Sequence, residues 1–92
     1  MQIKSISDFR AAMRQGPYAW PGGYPLFFIT SDGAAISFKA AKKERRNILE
    51  SIFNDYEDGW RIESVEINWE NEDLYCDHTG ERIPSAYRES DQ

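Results

Sequence analysis

Apolar side chains along this chain recur with two different spacings, and each spacing predicts a different kind of element. Residues 5–14 place Ile6, Phe9 and Met13 on one face of a short helix, because these positions lie three or four residues apart. Residues 38–56 keep the same spacing over a longer stretch and therefore predict one long helix. The residues predicted to form its core-facing side are Ala41, Ile48, Leu49, Ile52, Phe53 and Tyr56.

Aromatic and branched residues bounded by turn signals predict a hairpin in the first half of the chain. Residues 26–30 and 35–38 form its two predicted strands, and Asp32-Gly33 between them favours a two-residue turn. Upstream of the hairpin, the pair Pro21-Gly22 predicts another turn. Because tight turns join antiparallel neighbours, the sheet is expected to be antiparallel.

A further strand is predicted at residues 60–69. Every second side chain from Val65 through Ile67 to Trp69 is predicted to face the core, with the residues between them in water. Trp60 and Ile62 fall on the opposite parity, so a bulge or a late strand start is expected. The side chains predicted to face water are Glu66 and Asn68.

The last third of the chain predicts a short hairpin followed by a tail. Residues 74–76 and 81–83 form its short strands around a turn, and the tail from Tyr87 onward is polar and expected to be loosely held. The whole chain of 92 residues is expected to be a single domain, 1–92, of the α+β class. Its predicted architecture is an antiparallel sheet of about four to five strands with a short N-terminal helix and one long helix packed on one face.

Charge is distributed unevenly along the chain, whose net charge is −5. Residues 39–46 sum to +4, whereas residues 50–81 sum to −10 with Arg61 as their single base. On the predicted long helix, bases come near the N-terminus and acids near the C-terminus, the reverse of what the helix dipole favours. Each exposed charge placed in this way costs roughly 0.3–1 kcal/mol, so the arrangement favours a role in binding.

The bases of the predicted long helix are the first candidate binding site. A basic stripe at a helix N-terminus suits phosphate contact, because its charge adds to the positive end of the dipole. The alternative interpretation is a solvated face that keeps the helix soluble, with Arg46 and Glu50 weakly paired. The candidate phosphate-contacting residues are Lys39, Lys42, Lys43, Arg45 and Arg46.

Acids in the second half of the chain are the second candidate site. Exposed carboxylates could imitate the phosphates of a nucleic acid and occupy a basic channel of a partner, where such complementarity sets association rate and partner choice. The alternative is that they give solubility and discourage pairing at the sheet edge. The candidate channel-contacting residues are Glu63, Glu66, Glu70, Glu72 and Asp73.

Enzymatic and metal chemistry have little support in the sequence. The run Cys76-Asp77-His78-Thr79-Gly80 is similar to a zinc knuckle, but Thr79 stands where a second cysteine is needed. With one histidine and no phosphate-binding loop, neither a nucleophilic triad nor a nucleotide site is predicted. We therefore expect a protein that is not an enzyme and has no cofactor, no metal and no small-molecule substrate.

The chain is expected to work in the cytoplasm. Its single cysteine excludes an internal disulfide, which favours a reducing compartment. The first residues lack the apolar run of a signal peptide, and the longest apolar run, Leu26-Phe27-Phe28-Ile29, is far too short for a membrane span. No membrane association is therefore predicted.

Two segments are distinctive in their sequence. Residues 18–26 (YAWPGGYPL) and 76–87 (CDHTGERIPSAY) resemble small proteins carried by phages, prophages and plasmids. In size, acidic charge and single-domain build the chain is similar to anti-CRISPR proteins. The resemblance implies a viral, non-enzymatic inhibitor that evades host defence by binding a CRISPR-Cas surveillance complex and blocking target DNA. The partner it implies is a host nucleoprotein, the CRISPR-Cas effector with its guide RNA, in the host cytoplasm.

A second class of function stays open at this point. The basic helix could instead bind DNA or RNA directly, as in a small accessory or regulatory protein of a mobile element. In the inhibitor hypothesis the same bases would meet exposed guide-RNA phosphates while the acids enter the DNA channel. Binding to bare nucleic acid separates the two hypotheses.

Overall fold

The computed structural model describes residues 1–19 and 22–86. Trp20, Pro21 and residues 87–92 lie outside the described residues, so the predicted turn at Pro21 and the predicted loose tail from Tyr87 are not part of the description. The described part confirms the α+β class, with a four-stranded antiparallel sheet and three helices. The elements are α1 (Ile6–Gln15), β1 (Tyr18–Ala19), β2 (Tyr24–Thr30), β3 (Ala35–Ile36), α2 (Phe38–Lys43), α3 (Arg45–Asn54) and β4 (Ile62–Ile67).

Strand β2 is the centre of the sheet. It pairs with β4 along one edge, in a register that joins Leu26 to Ile67 and Phe28 to Val65. Its other edge pairs first with β1 and then with β3, all antiparallel. Beyond β4 the N-terminal segment extends the sheet, since the amide of Ile3 donates to the Glu63 carbonyl at 2.8 Å.

The hairpin between β2 and β3 was predicted correctly, but the two-residue form of its turn was wrong. Thr30 and Ala34 face each other across a three-residue loop, with the Thr30 amide donating to the Ala34 carbonyl at 2.9 Å. Gly33 adopts a φ of 88°, the left-handed conformation that closes this loop. Since Asp32 does not share a positive φ, the primed turn that needs two such residues does not form.

A bulge in β4 resolves the mixed parity of the sequence. Thr30 pairs with Ile62 while Ile29 pairs with Ser64, so Glu63 is an extra residue in the ladder. As a result Ile62 and Val65 both face the core, three positions apart. The expectation of a bulge is confirmed.

The predicted inward and outward sides of the chain after Val65 were wrong at two positions. Asn68, expected in water, is 4% exposed, and Trp69, expected in the core, is 43% exposed. The strand ends at Ile67, so strict alternation no longer applies. The Asn68 amide turns inward because it meets the backbone carbonyls of Asn71 and Pro84 at 2.9 and 3.0 Å. Trp69 instead lies against Tyr24, with ring centroids 4.8 Å apart.

The single long helix predicted at residues 38–56 is in fact two helices, α2 and α3. The break is at Glu44, whose φ of −105° and ψ of 21° depart from helical values. Neither glycine nor proline causes it. Ser37 caps α2 by accepting the Ala40 amide, and Ala41 of α2 and Ile48 of α3 are both fully buried in the core.

The core is centred on Phe28 of the middle strand, which has no exposed surface. Its ring lies 4.3 Å from that of Phe38 on α2 and 5.6 Å from that of Phe9 on α1, measured between centroids. The helices therefore pack on the face of the sheet that carries Phe28 and Val65. Helix α1 begins as predicted, because Ser5 accepts the Asp8 amide and the Asp8 carboxylate accepts the Lys4 amide.

Helix α3 buries less of its apolar face than its sequence predicts. Ile48 and Ser51 face the core, while Leu49 and Ile52 are only partly covered. Phe53, predicted in the core, is 76% exposed. The apolar arc of this helix is wider than the surface that the small domain can cover.

The C-terminal segment folds back onto the domain as a narrow arm. The Cys76 amide donates to the Glu81 carbonyl and the Ile83 amide donates to the Leu74 carbonyl, both at 2.8 Å. Only one bridge, Tyr75 with Arg82, joins the two sides of this hairpin. The predicted pairing is confirmed, although neither side forms a regular strand.

Within the described part of the chain, every helix lacks the length and apolar character needed to cross a membrane.

Candidate functional site

The five predicted phosphate-contacting bases are all exposed, but they lie on two helices. Lys39, Lys42 and Lys43 belong to α2, whereas Arg45 and Arg46 begin α3. Lys42 and Lys43 are in the last turn of α2, where cations are favoured, so the predicted conflict with the dipole is wrong for them. The conflict holds for Arg45 and Arg46, at the N-terminus of α3.

Few carboxylates of the protein itself form ion pairs with these bases. Lys39 lies 3.7 Å from the Glu81 carboxylate, and both side chains are mostly exposed, so this ion pair is weak. Among the described residues no ion pair involves the other four bases. The anticipated pair between Arg46 and Glu50 is therefore not formed. These five bases, which together form the basic patch, are therefore available to an external anion.

An apolar groove opens beside the basic patch. It has a volume of about 530 Å³ and runs between the end of α1, the start of β2, α2 and the C-terminal arm. Its floor is apolar and its rim carries Lys39, Lys42, Arg82 and Glu81. The apolar residues that line it include Met13, Pro17, Tyr18, Leu26, Phe38 and Ile83.

Sequence reasoning missed this groove because its walls come from distant parts of the chain. Leu26 and Phe38 were predicted on the two strands of the first hairpin, and Ile83 on the short hairpin near the end of the chain. The one local signal was the i, i+3 spacing of Lys39 and Lys42 beside a buried Phe38, which puts bases at the border of an apolar surface. The groove gives the basic patch a hydrophobic neighbour, the combination that anchors interfaces.

The five predicted channel-contacting acids are also exposed, in two groups. Glu63 and Glu66 lie on β4, where Glu66 is on the sheet face opposite the helices and 3.2 Å from the amino group of Met1. The remaining acids follow in the loop after the strand: Glu70, Glu72 and Asp73. The structure therefore brings the acids to one side of the sheet edge and its loop, separate from the bases of α2.

The knuckle-like run at residues 76–80 folds as a knuckle turn. The Gly80 amide donates to the Cys76 carbonyl at 2.8 Å, and Gly80 has a φ of 75°. Cys76 is buried, and its sulfur accepts the Ser37 amide at 3.4 Å across the start of α2. The thiol thus holds the arm to the helix. Within residues 1–19 and 22–86 no group of three or more His, Cys, Asp or Glu side chains could hold a metal ion.

His78 at the tip of the turn is stacked on Trp60. Their ring centroids are 4.2 Å apart and their planes are inclined by 5°. The imidazole therefore has a packing role in joining the arm to the start of β4. This contact has no counterpart in the sequence pattern, where His78 was a weak catalytic or metal candidate.

Hydrogen bonds to the Cys76 sulfur outweigh the effect of its burial. Burial by itself raises the pKa of a thiol, but the backbone and side chains of Ser37 and Thr79 lower the pKa of Cys76 to about 7. Thr79, in the position of the missing second cysteine, thereby supports a thiolate rather than a metal.

We expect stability to rise with pH as this thiol ionises. The folded-state pKa is below the unfolded value, so the stabilisation is complete above about pH 9 and is lost as the pH falls through about 7. Urea unfolding at about pH 6 and about pH 9 should show a gain on the order of 1–2 kcal/mol relative to Cys76→Ser, which does not titrate there. Equal pH dependence of the two proteins would contradict it.

No protein-family model, curated protein or solved structure matches this chain. The assignment of a function therefore depends on the chemistry of the surface described above.

Proposed function

We propose that this protein is a non-enzymatic inhibitor that binds an RNA-guided nucleoprotein complex in the cytoplasm and blocks its access to target DNA. The observation that carries the proposal is the exposed basic patch at the rim of an apolar groove, with a separate exposed set of acids on β4 and its following loop. The resemblance of residues 18–26 and 76–87 to phage-borne proteins supports a CRISPR-Cas surveillance complex as the partner.

The basic patch suits RNA phosphates that are exposed on such a complex. Lys42 and Lys43 have no internal ion pair among the described residues, so binding does not have to break one. Their contact with phosphate releases counterions, which favours association at low salt. Beside them the groove can accept an apolar side chain from the protein part of the partner, adding a contact that does not depend on salt.

The acids suit the opposite half of the same partner. Glu63 and Glu66 are exposed on strand β4, so the sheet sets the position of their backbone and both carboxylates face outward. A DNA-binding channel is lined with Lys and Arg, and carboxylates that enter it compete with DNA phosphates. A partner made of both RNA and a basic protein channel accounts for both surfaces of this small domain.

A DNA-binding assay with purified surveillance complex and labelled target DNA tests the proposal. We expect saturating protein to abolish target binding, and Lys42→Glu/Lys43→Glu to raise the required concentration by about tenfold or more. Lys4→Glu/Arg10→Glu is the matched control, since it makes the same charge change at exposed positions around α1 and should leave inhibition unchanged. Full target binding at saturating protein would reject the proposal.

A gel shift with bare DNA and RNA separates this proposal from direct nucleic-acid binding. We expect no shift, because the net charge of −5 opposes a general phosphate contact. A shift that weakens steeply with added salt would instead indicate a mobile-element regulator that binds nucleic acid through the basic patch.

A further inference from the structure

Helix α3 presents an apolar residue to solvent on the side opposite the core. Its outward positions are Arg46, Glu50 and Phe53, spaced i, i+4, i+7 on one helix face, and the partly buried Leu49 lies at the edge of that face. Phe53 is 76% exposed and Tyr56, just beyond the helix, is 45% exposed. Aromatic residues are enriched at protein interfaces.

The two ends of this helix face carry charges of opposite sign. Arg45 and Arg46 lie at the N-terminal end and make no ion pair with any described residue. At the C-terminal end Asp55 and Glu57 share one base, Arg61, at 2.6 and 3.2 Å. With Asp58 included, the acids Asp55, Glu57 and Asp58 against Arg61 leave a charge of −2 at this end, and Arg45 and Arg46 against Glu44 leave +1 at the other end.

We propose that α3 is the dimer interface of this protein and pairs antiparallel with α3 of a second copy. A two-fold axis near Leu49 and Glu50 brings Arg46 of one copy over the Phe53 ring of the other, where a cation and an aromatic face attract. The same axis places Arg45 of each copy near Asp55 and Glu57 of the other. The same surface of each copy thus forms the contact, with opposite charges facing each other and the aromatic rings buried between them.

The charge layout favours a second copy over an unrelated partner. An interface with two-fold symmetry must be complementary to itself, and bases at one end with acids at the other meet that condition only in the antiparallel arrangement. The pairing also moves Arg45 and Arg46 beside the negative C-terminal end of the neighbouring helix. The unfavourable placement of these two bases in the monomer becomes favourable in the dimer.

The length of α3 limits the area of the proposed interface and therefore the affinity of the dimer. Ten residues span about 15 Å, so α3 alone buries less than the roughly 1,600 Å² of a standard interface. We therefore expect association in the micromolar range. The dimer takes up Arg45 and Arg46 of the basic patch and leaves Lys39, Lys42 and the apolar groove available on both copies. It does not depend on the proposed inhibitory function.

Sedimentation velocity of the purified full chain, between about 1 µM and about 1 mM, tests the dimer. We expect a concentration-dependent rise to the dimer mass, and a monomer with at least about tenfold weaker association for Phe53→Ser. Tyr75→Ser is the matched control, because Tyr75 is an exposed aromatic residue outside α3 and should leave dimerisation unchanged. A wild-type chain that stays monomeric throughout would overturn the proposal, and so would Phe53→Ser that dimerises normally.

Crosslinking provides a second test that does not depend on the folding of a Phe53 variant. Glu50→Cys lies near the proposed axis and should form an intermolecular disulfide rapidly under mild oxidation with copper phenanthroline. Asn47→Cys, exposed on the flank of the same helix, should react much more slowly. Native Cys76 is buried and serves in both variants as background. Equal rates for the two variants would overturn the antiparallel arrangement.

Discussion

Replacement of Phe28 by alanine is expected to lower the free energy of unfolding by about 3–5 kcal/mol, the range for deleting a buried phenyl group. Phe28 has no exposed surface and contacts a ring from each of two helices, Phe9 of α1 and Phe38 of α2. Because both helices pack on it, the cavity cannot close without moving one of them. The free energy of unfolding of a domain of this size is about 5–15 kcal/mol in total, so the variant loses a large part of its stability.

Phe27→Ala is the matched control for this prediction. Phe27 is the preceding residue of the same strand, with the same side chain, but it is half-buried on the face of the sheet away from the helices. We expect it to cost less than half as much in urea unfolding. Equal losses for the two variants would show that the core is not centred on the Phe28 face.

Replacement of Asn68 by alanine is expected to cost about 2–4 kcal/mol although it removes no apolar contact. The Asn68 side-chain amide donates to the carbonyls of Asn71 and Pro84 and approaches that of Ile83, while its oxygen accepts the Asn71 amide at 3.2 Å. In the variant these backbone groups lose their partner at a site that is 4% exposed.

Asn71→Ala is the control for Asn68, since Asn71 lies in the same loop but is exposed, and among the described residues its side chain accepts only the Asp73 amide. Its expected loss in urea unfolding is below about 1 kcal/mol. Hydrogen exchange should also show faster exchange of the Ala86 amide in Asn68→Ala, because the C-terminal arm is released. Unchanged exchange at Ala86 would mean that Asn68 does not hold the arm.

The parts of the fold that could be predicted from the sequence are those set by local patterns. Ser5 and Asp8 define the start of α1, and Asp32-Gly33 defines the position of the hairpin. The mixed parity of Ile62 and Val65 indicated a bulge or a late strand start, and the structure has the bulge. In each case a few neighbouring residues contain the physical cause.

Features that depend on tertiary packing could not be predicted in this way. No local signal marks Glu44 as the end of α2, since the apolar face from Ala41 to Ile48 is continuous with a single helix. Asn68 is polar and reads as a solvent-facing residue, yet the returning arm supplies the carbonyls that hold it inside. Phe53 fits an apolar arc, but a small domain has no further surface to cover it.

In the candidate site, too, only the features set by local sequence patterns could be predicted. The exposure of Lys42, Lys43, Glu63 and Glu66 was predictable, because charged residues rarely lose contact with water. Their grouping was not, since the break at Glu44 divides the basic stripe between two helices. The groove beside α2 was also unpredictable, because it forms only where β2 and the C-terminal arm meet.

The position of the arm has a consequence for how the protein is made. Two core residues, Cys76 and Ile83, belong to it, and the Asp77 amide donates to the Ala35 carbonyl of β3 at 2.8 Å. While these residues are still inside the ribosome, the sheet and helices that have already emerged lack part of their interior. The domain is therefore expected to acquire its native structure only after Ile83 has left the ribosome, and a ribosome stalled before that point should display a protease-sensitive nascent chain.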